Sequence, residues 1–168
     1  MKYICPLITV SDIEKSRHFY ENILGQKIKY DFGENITFQG DFAIHLKSHF
    51  KELIDNKEIN QGGNNFELYF EYDDVEKLVK SLKDNNVVFV HELREQPWKQ
   101  KVVRFYDPDN NIIEVGESME YLVIRLQKEG LSREQISKLT GMSVALINKL
   151  TEKENEAHVS VGLGSIQK

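Results

Sequence analysis

Residues 8–25, ITVSDIEKSRHFYENILG, change their hydrophobic period part-way along, and that change decides the fold. From Tyr3 to Val10 the apolar Ile4, Ile8 and Val10 alternate with Cys5, Leu7 and Thr9, which is the two-residue period of a strand with one packed face. Ser11 and Asp12 stop it. From Asp12 onward Ile13, Phe19, Tyr20, Ile23 and Leu24 fall on one helical stripe, with Asp12 as a good N-cap and Gly25 as a natural stop. The opening unit is therefore a strand followed by an amphipathic helix.

Working outward, short extended runs follow at Gln26 to Phe32, Asn35 to Gln39 and Asp41 to Lys47, punctuated by Gly33, Glu34 and Gly40. The first half reads βαβββ. After a polar stretch holding Gly62 and Gly63, Phe66 to Tyr72 alternates like a strand and Asp73 starts a helix with Val75, Leu78, Val79 and Leu82 on its apolar side. Strands are predicted at Val87 to Val90, Lys101 to Tyr106 and Asn111 to Gly116, the last two joined by the turn signal DPDN. The order thus occurs twice, which predicts an α+β fold of two tandem βαβββ modules forming a curved mixed sheet around a cleft.

Residues 1–117 are assigned to that domain, 118–151 to a C-terminal helical extension and 152–168 to a loosely ordered tail. In the extension, Met119, Leu122, Val123 and Leu126 fit a helix ending at Gly130. LSREQISKLTGMSVALINKL then reads as two short helices around Gly141, with the spacing of a helix-turn-helix. The second of these helices offers only Asn148 and Lys149 to a phosphate or base, so packing against protein is the expected role.

The formal charge of -5 and a sequence pI near 5.6 provide no broad basic field, which argues against a nucleic-acid partner. The single cysteine, Cys5, excludes an intramolecular disulfide and fits a reducing cytoplasm. The opening apolar run is broken by Pro6, Asp12 and Glu14, so neither a signal peptide nor a membrane span is expected there.

Two segments carry a family resemblance. ITVSDIEKSRHFYENILG (8–25) and PWKQKVVRFYDPDNNIIEVGE (97–117) resemble the opening and the closing strands, with their "DPDGN-IE" turn, of the vicinal oxygen chelate superfamily, the glyoxalase/bleomycin-resistance/dioxygenase group. Asn110 stands where the turn usually has glycine and tolerates the same backbone, while Lys99 replaces the glycine after Pro-Trp. The resemblance covers about residues 1–117 and implies a homodimer, since such chains complete their clefts by pairing.

It also implies a site. Metal-using members place ligands on the first and fourth strand of each half, at the positions of Cys5, His45, Glu67 and Glu114. Alternation agrees: with Ile4, Ile8, Ile44, Leu46, Phe66, Leu68, Phe70, Ile113 and Val115 on the packed face, those four point the other way. Such a set suits a divalent transition metal (Zn, Fe, Mn or Ni), with Glu67 and Glu114 as the catalytic carboxylates of a lyase, isomerase or dioxygenase acting on a small bidentate oxygen-bearing substrate. The family's metal enzymes commonly have His at the positions of Cys5 and Glu67, and Glu at that of His45. Other members bind ligands with no metal, and the alternative expectation is a metal-free small-molecule binding or resistance protein.

Lys47, Tyr69, Glu71, Arg104 and Tyr106 share the cleft-facing phase and are candidate ligand contacts, with Trp98 as an apolar cap. Arg104 would clamp a carboxylate or phosphate, or else pair with Glu67 or Glu71 across the sheet. His18 and His91 receive no role.

Overall fold

The computed structural model describes residues 1–152. Strand β1 (Leu7–Val10) leads into α1 (Ile13–His18), which continues as a π-helical turn (Phe19–Ile23); β2 (Ile28–Asp31), β3 (Asn35–Phe38) and β4 (Ala43–Leu46) complete the first module. Helix α2 (Lys47–Leu53) precedes the second module of β5 (Glu67–Glu71), α3 (Val75–Asp84), β6 (Phe89–Glu95), β7 (Lys101–Tyr106) and β8 (Ile112–Gly116). Helices α4 (Met119–Lys128), α5 (Arg133–Thr140) and α6 (144–152) follow.

The sheets have the orders β1-β4-β3-β2 and β5-β8-β7-β6, one pattern advanced by four strands. In the first, β1 runs parallel to β4, with Thr9 opposite His45, while β3 is antiparallel to both β2 and β4. A parallel first–fourth pair needs a long crossover, and α1 with the intervening hairpin supplies it. The fold is α+β, built from tandem modules with helices appended.

By internal contacts the chain forms two compact units. One comprises Met1–Tyr69, Lys77–Glu92 and Arg104–Glu114; the other comprises Phe70–Glu76, Leu93–Val103 and Val115–Lys168.

The first unit is centred on aromatic rings. Tyr20 lies 5.6 Å from Phe38 and 5.2 Å from both Phe42 and Phe19, ring centre to ring centre, and its phenol is fully buried. A buried hydroxyl must find an acceptor, and Tyr20 donates to Asp107 Oδ2 at 2.7 Å. Asp107 also accepts from the backbone N–H of Asp109 and Asn111 and from the Asn111 amide, at 2.8 to 2.9 Å, which closes the DPDN turn. Burial pushes the Asp107 carboxyl above its ordinary value, with the hydrogen bonds from Asn111 and Tyr20 pulling it partly back. Asp109 in turn accepts from Ser11 N–H at 3.0 Å.

The second unit holds an apolar cluster of Leu122, Val123, Leu126, Ile136 and Ile147, against which Met119, Leu131, Met142 and Leu150 pack. Helix α5 starts with a capping box, Ser132 to Gln135, and ends at Gly141, whose φ of 76° is the left-handed stop that glycine adopts without strain. Arg125 joins α4 to β-structure of the same unit: it donates to Glu117, buried at 1% exposure, at 2.9 and 3.0 Å and to the Lys99 carbonyl at 2.7 Å. Glu117 also accepts from Lys101 N–H at 3.0 Å, so its buried charge is both paired and hydrogen-bonded.

Several sequence expectations are corrected. The first strand begins at Leu7, not Tyr3, because Pro6 has no N–H to give a ladder; its carbonyl still accepts from Ala43. Ile4 consequently lies outside β1, Phe66 lies just ahead of β5, and both are exposed rather than on the packed face. Lys47 is not a strand residue but the first of α2, a helix with no buried residue and therefore no apolar period to reveal it. Beyond residue 152, the expected loose tail lies outside the described residues.

The Tyr20–Asp107 bond yields a pH prediction. Burial first, then the charge of Asp107, raises the Tyr20 phenol well above its ordinary value. The native state therefore keeps a proton that the unfolded chain releases near pH 10, and stability is lost as pH rises past about 10. Tyr20→Phe should cost about 1–3 kcal/mol in urea unfolding at pH 7, since Asp107 loses a donor, and the gap from the parent should narrow above about pH 10. An equal gap at both pH values would refute this account.

Candidate functional site

A polar row crosses the second sheet within the first unit. Glu67 on β5, Glu114 on β8, Arg104 on β7 and His91 on β6 follow the sheet order strand by strand. Arg104 Nε donates to Glu67 Oε2 at 2.9 Å, and its Nη2 is ion-paired with Glu114 Oε2. Its Nη1 stands 3.3 Å from His91 Nε2, while His91 Nδ1 faces the Glu92 carbonyl at 2.8 Å. That geometry selects the tautomer in which Nδ1–H donates and Nε2 accepts from the guanidinium. The row holds one carboxylate in excess, and exposure grades it: the Glu114 side chain is 7% exposed, Arg104 23% and Glu67 39%.

A second cluster forms around His45 on β4. Its Nδ1 lies 3.1 Å from the amide nitrogen of Asn35, its cross-strand partner, and its Nε2 lies 3.0 Å from His49 Nδ1, one turn along in α2. His49 Nδ1 also stands 3.1 Å from Glu34 Oε2. Burial, and then the neighbouring His49, lowers the pKa of His45 against the opposing pull of Glu34, so this imidazole favours its neutral form.

The other candidates are scattered. Cys5 is a half-buried free thiol ahead of β1, and the β1 residue opposite His45 is Thr9. Lys47 Nζ donates to Gln61 at 2.7 Å, and Gln61 donates to the Thr9 carbonyl at 2.9 Å. Tyr69 is 45% exposed on the same face of β5 as Glu67 and Glu71. Trp98 belongs to the other unit, where its indole N–H donates to Gln100 at 3.0 Å.

These residues do not fit a divalent metal as arranged. Oxygens of Glu67 and Glu114 are held by the Arg104 guanidinium, and both ring nitrogens of His45 are engaged. Among the described residues, no three His, Cys, Asp or Glu side chains converge on a point where they could hold an ion. His91 receives no role at the sequence level because no matching partner shows there; on β6 that partner is Arg104 of the neighbouring β7.

A family model described as the glyoxalase-like domain matches residues 3–120. The chain belongs to this family. The glyoxalase-like domain thus spans both βαβββ modules and places the chain in the vicinal oxygen chelate superfamily, leaving most of the C-terminal helices outside the match. The "Uncharacterized protein YraH" of Bacillus subtilis (strain 168) is 28% identical over 124 residues, which cover 68% of this chain and 97% of that protein. Among solved structures, a protein of unknown function from Agrobacterium tumefaciens str. C58 is 40% identical, with 71% of this chain and 95% of that chain covered at a TM-score of 0.65. A member of the glyoxalase/bleomycin resistance protein/dioxygenase superfamily from Sphaerobacter thermophilus DSM 20745 is 25% identical, with 70% and 98% covered at a TM-score of 0.55.

Because Glu114 is buried, removing its cation should be costly. Arg104→Gln is expected to destabilise the domain by about 3 kcal/mol, since it leaves a buried carboxylate without its counter-charge. Adding Glu114→Gln to that variant should recover part of the loss, giving a coupling of about 1 kcal/mol or more in a double-mutant cycle followed by urea unfolding. Simple additivity would show that the pair is not coupled.

Proposed function

We propose that this glyoxalase-like domain is a metal-independent binding protein that holds a small planar or aromatic molecule against the face carrying Glu67, Tyr69, Arg104 and Glu114. The observation that carries the reading is the Arg104 guanidinium bound to both carboxylates: a permanent cation supplies the counter-charge that a metal would otherwise bring. Exposed Tyr69 offers a flat apolar surface beside Glu67, and the excess carboxylate favours a ligand bearing a cationic or hydrogen-bond-donating group. Such a protein acts by sequestration, so mass action rather than a chemical step gives the effect. Among the described residues no helix is long and apolar enough to cross a membrane, and the lone Cys5 thiol accords with a reducing cytoplasm.

Thermal unfolding against a panel of planar aromatic amines and their neutral analogues tests this. A ligand present at about 100 times its Kd should stabilise the domain by about 2.7 kcal/mol, equally in EDTA and after His45→Ala. Stabilisation that appears only with added Zn, Fe, Mn or Ni would overturn the proposal in favour of a metal-dependent lyase, isomerase or dioxygenase.

The reading takes the chain as a homodimer whose C-terminal helices serve packing rather than DNA recognition. On α6 the exposed residues include Val144 and Leu146, and Lys149 is its only cation among the described residues. Sedimentation at micromolar protein should show a dimer that does not carry duplex DNA with it; a monomer, or salt-sensitive co-sedimentation, would count against it.

A further inference from the structure

None of the polar-row residues lines the cavity of about 380 Å³ that lies elsewhere in the first unit, where α1 and its π-helical turn meet the α3–β6 connection and the DPDN turn. Its volume falls in the range of about 300–1,000 Å³ usual for small-molecule sites. From the first module, Phe19 and Ile23 supply an apolar part of the lining. Phe19 and Ile23 stand at the two ends of the π-helical turn, whose wide closure is the Leu24 N–H to Phe19 carbonyl bond at 3.1 Å. Wide turns of this kind are rare and recur at functional sites. The facing wall adds Val87 and Val88, and Val88 is 65% exposed, an unusual state for a branched apolar residue next to a strand.

Charge on the rim is one-sided. Lys15 and His18, three positions apart on α1, both line the cavity, and neither side chain has a hydrogen bond or ion pair among the described residues. The nearby carboxylates are spoken for: Arg17 holds Glu14 at 3.8 Å, Glu21 at 3.4 Å and Asp31 at 3.1 Å. Asp107 contributes to the lining, but its oxygens already accept four hydrogen bonds, from Tyr20, Asp109 and Asn111. Two asparagines on the rim, Asn86 and Asn110, have left-handed φ values of 55° and 64°, so the border is built from tight, sterically defined turns.

We infer that this cavity is a second ligand site, selective for a small monoanion with an aromatic or branched apolar body. The anionic group meets Lys15 and His18, and the body lies between the Phe19–Ile23 wall and the Val87–Val88 wall. Apolar contact supplies the affinity and the unpaired cation supplies the selection by charge. The site is chemically opposite to the polar row, which has a carboxylate in excess, so the two would sort ligands by charge.

Benzoate and its neutral analogue benzamide are suitable probes, titrated into the isotope-labelled full-length chain at neutral pH and followed by two-dimensional NMR. Benzoate should give saturating shifts in the Lys15–Ile23 and 85–88 amides and in the His18 ring. Benzamide should bind at least about tenfold more weakly, and the exposed double change Lys15→Gln/His18→Gln should weaken benzoate by a similar factor while leaving the remaining spectrum unchanged. The inference is overturned by any one of three results: no saturating shift, shifts centred on Glu67, Arg104 and Glu114, or equal binding of benzoate by the double variant. Because the shifts map to residues, failure here is distinguishable from failure of the binding reading for the polar row.

Discussion

The buried carboxylate of Asp107 is the constraint around which the first unit is arranged. A carboxylate removed from water is tolerated only when its lone pairs are satisfied, and Asp107 meets that condition by drawing in groups distant along the chain. Tyr20 reaches it from 87 residues away, while Asp109 and Asn111 wrap the turn beneath it. Asp109 then fixes Ser11, the residue between β1 and α1. One four-residue turn therefore sets the exit of the first strand, the seating of the first helix and the hairpin that presents Arg104 and Glu114. The aromatic packing around Tyr20 depends on the same bond, because an unpartnered phenol could not stay at the centre of that cluster.

Buried acids with arginine partners recur in both units. Glu117 meets Arg125 in the second unit as Glu114 meets Arg104 in the first, and each acid is nearly inaccessible while its arginine keeps some contact with solvent. Their surroundings separate their roles. Glu117 is closed in by a backbone N–H and by the arginine that ties α4 down, which is a structural use. Glu114 shares its arginine with half-exposed Glu67, so the second pair opens toward solvent.

Much of this was legible in the sequence because burial leaves a period. The strand phase placed Ile8, Ile44, Leu68, Ile113 and Val115 correctly on the packed face, and each is buried. The β7 limits, Lys101 to Tyr106, match those read from alternation, and the DPDN signal marked the turn that organises the first unit. What the sequence hid lacked such a period. Helix α2 buries nothing, the π-helical turn keeps the apolar stripe of an ordinary helix, and Pro6 shortens β1 without disturbing its alternation. The resemblance marked four positions for the site, and their residue types were compatible with metal. Whether those side chains are open to a metal depends on their neighbours across the strands, and single-chain periodicity does not report those neighbours.

The two modules make the point when compared position by position. His45 and Glu114 occupy the fourth strand of their respective modules, the place where the family's metal users carry a ligand. In each module a third-strand residue engages that fourth-strand group: Asn35 faces His45, and Arg104 pairs with Glu114. An amide satisfies an imidazole without adding charge, whereas a guanidinium neutralises a carboxylate. In both cases the fourth-strand donor has a partner on the third strand. In both modules it is thus the third strand that supplies the neighbour of the fourth-strand donor. Strand pairing fixes those neighbours at the moment the sheet forms, so the character of the site follows from the fold.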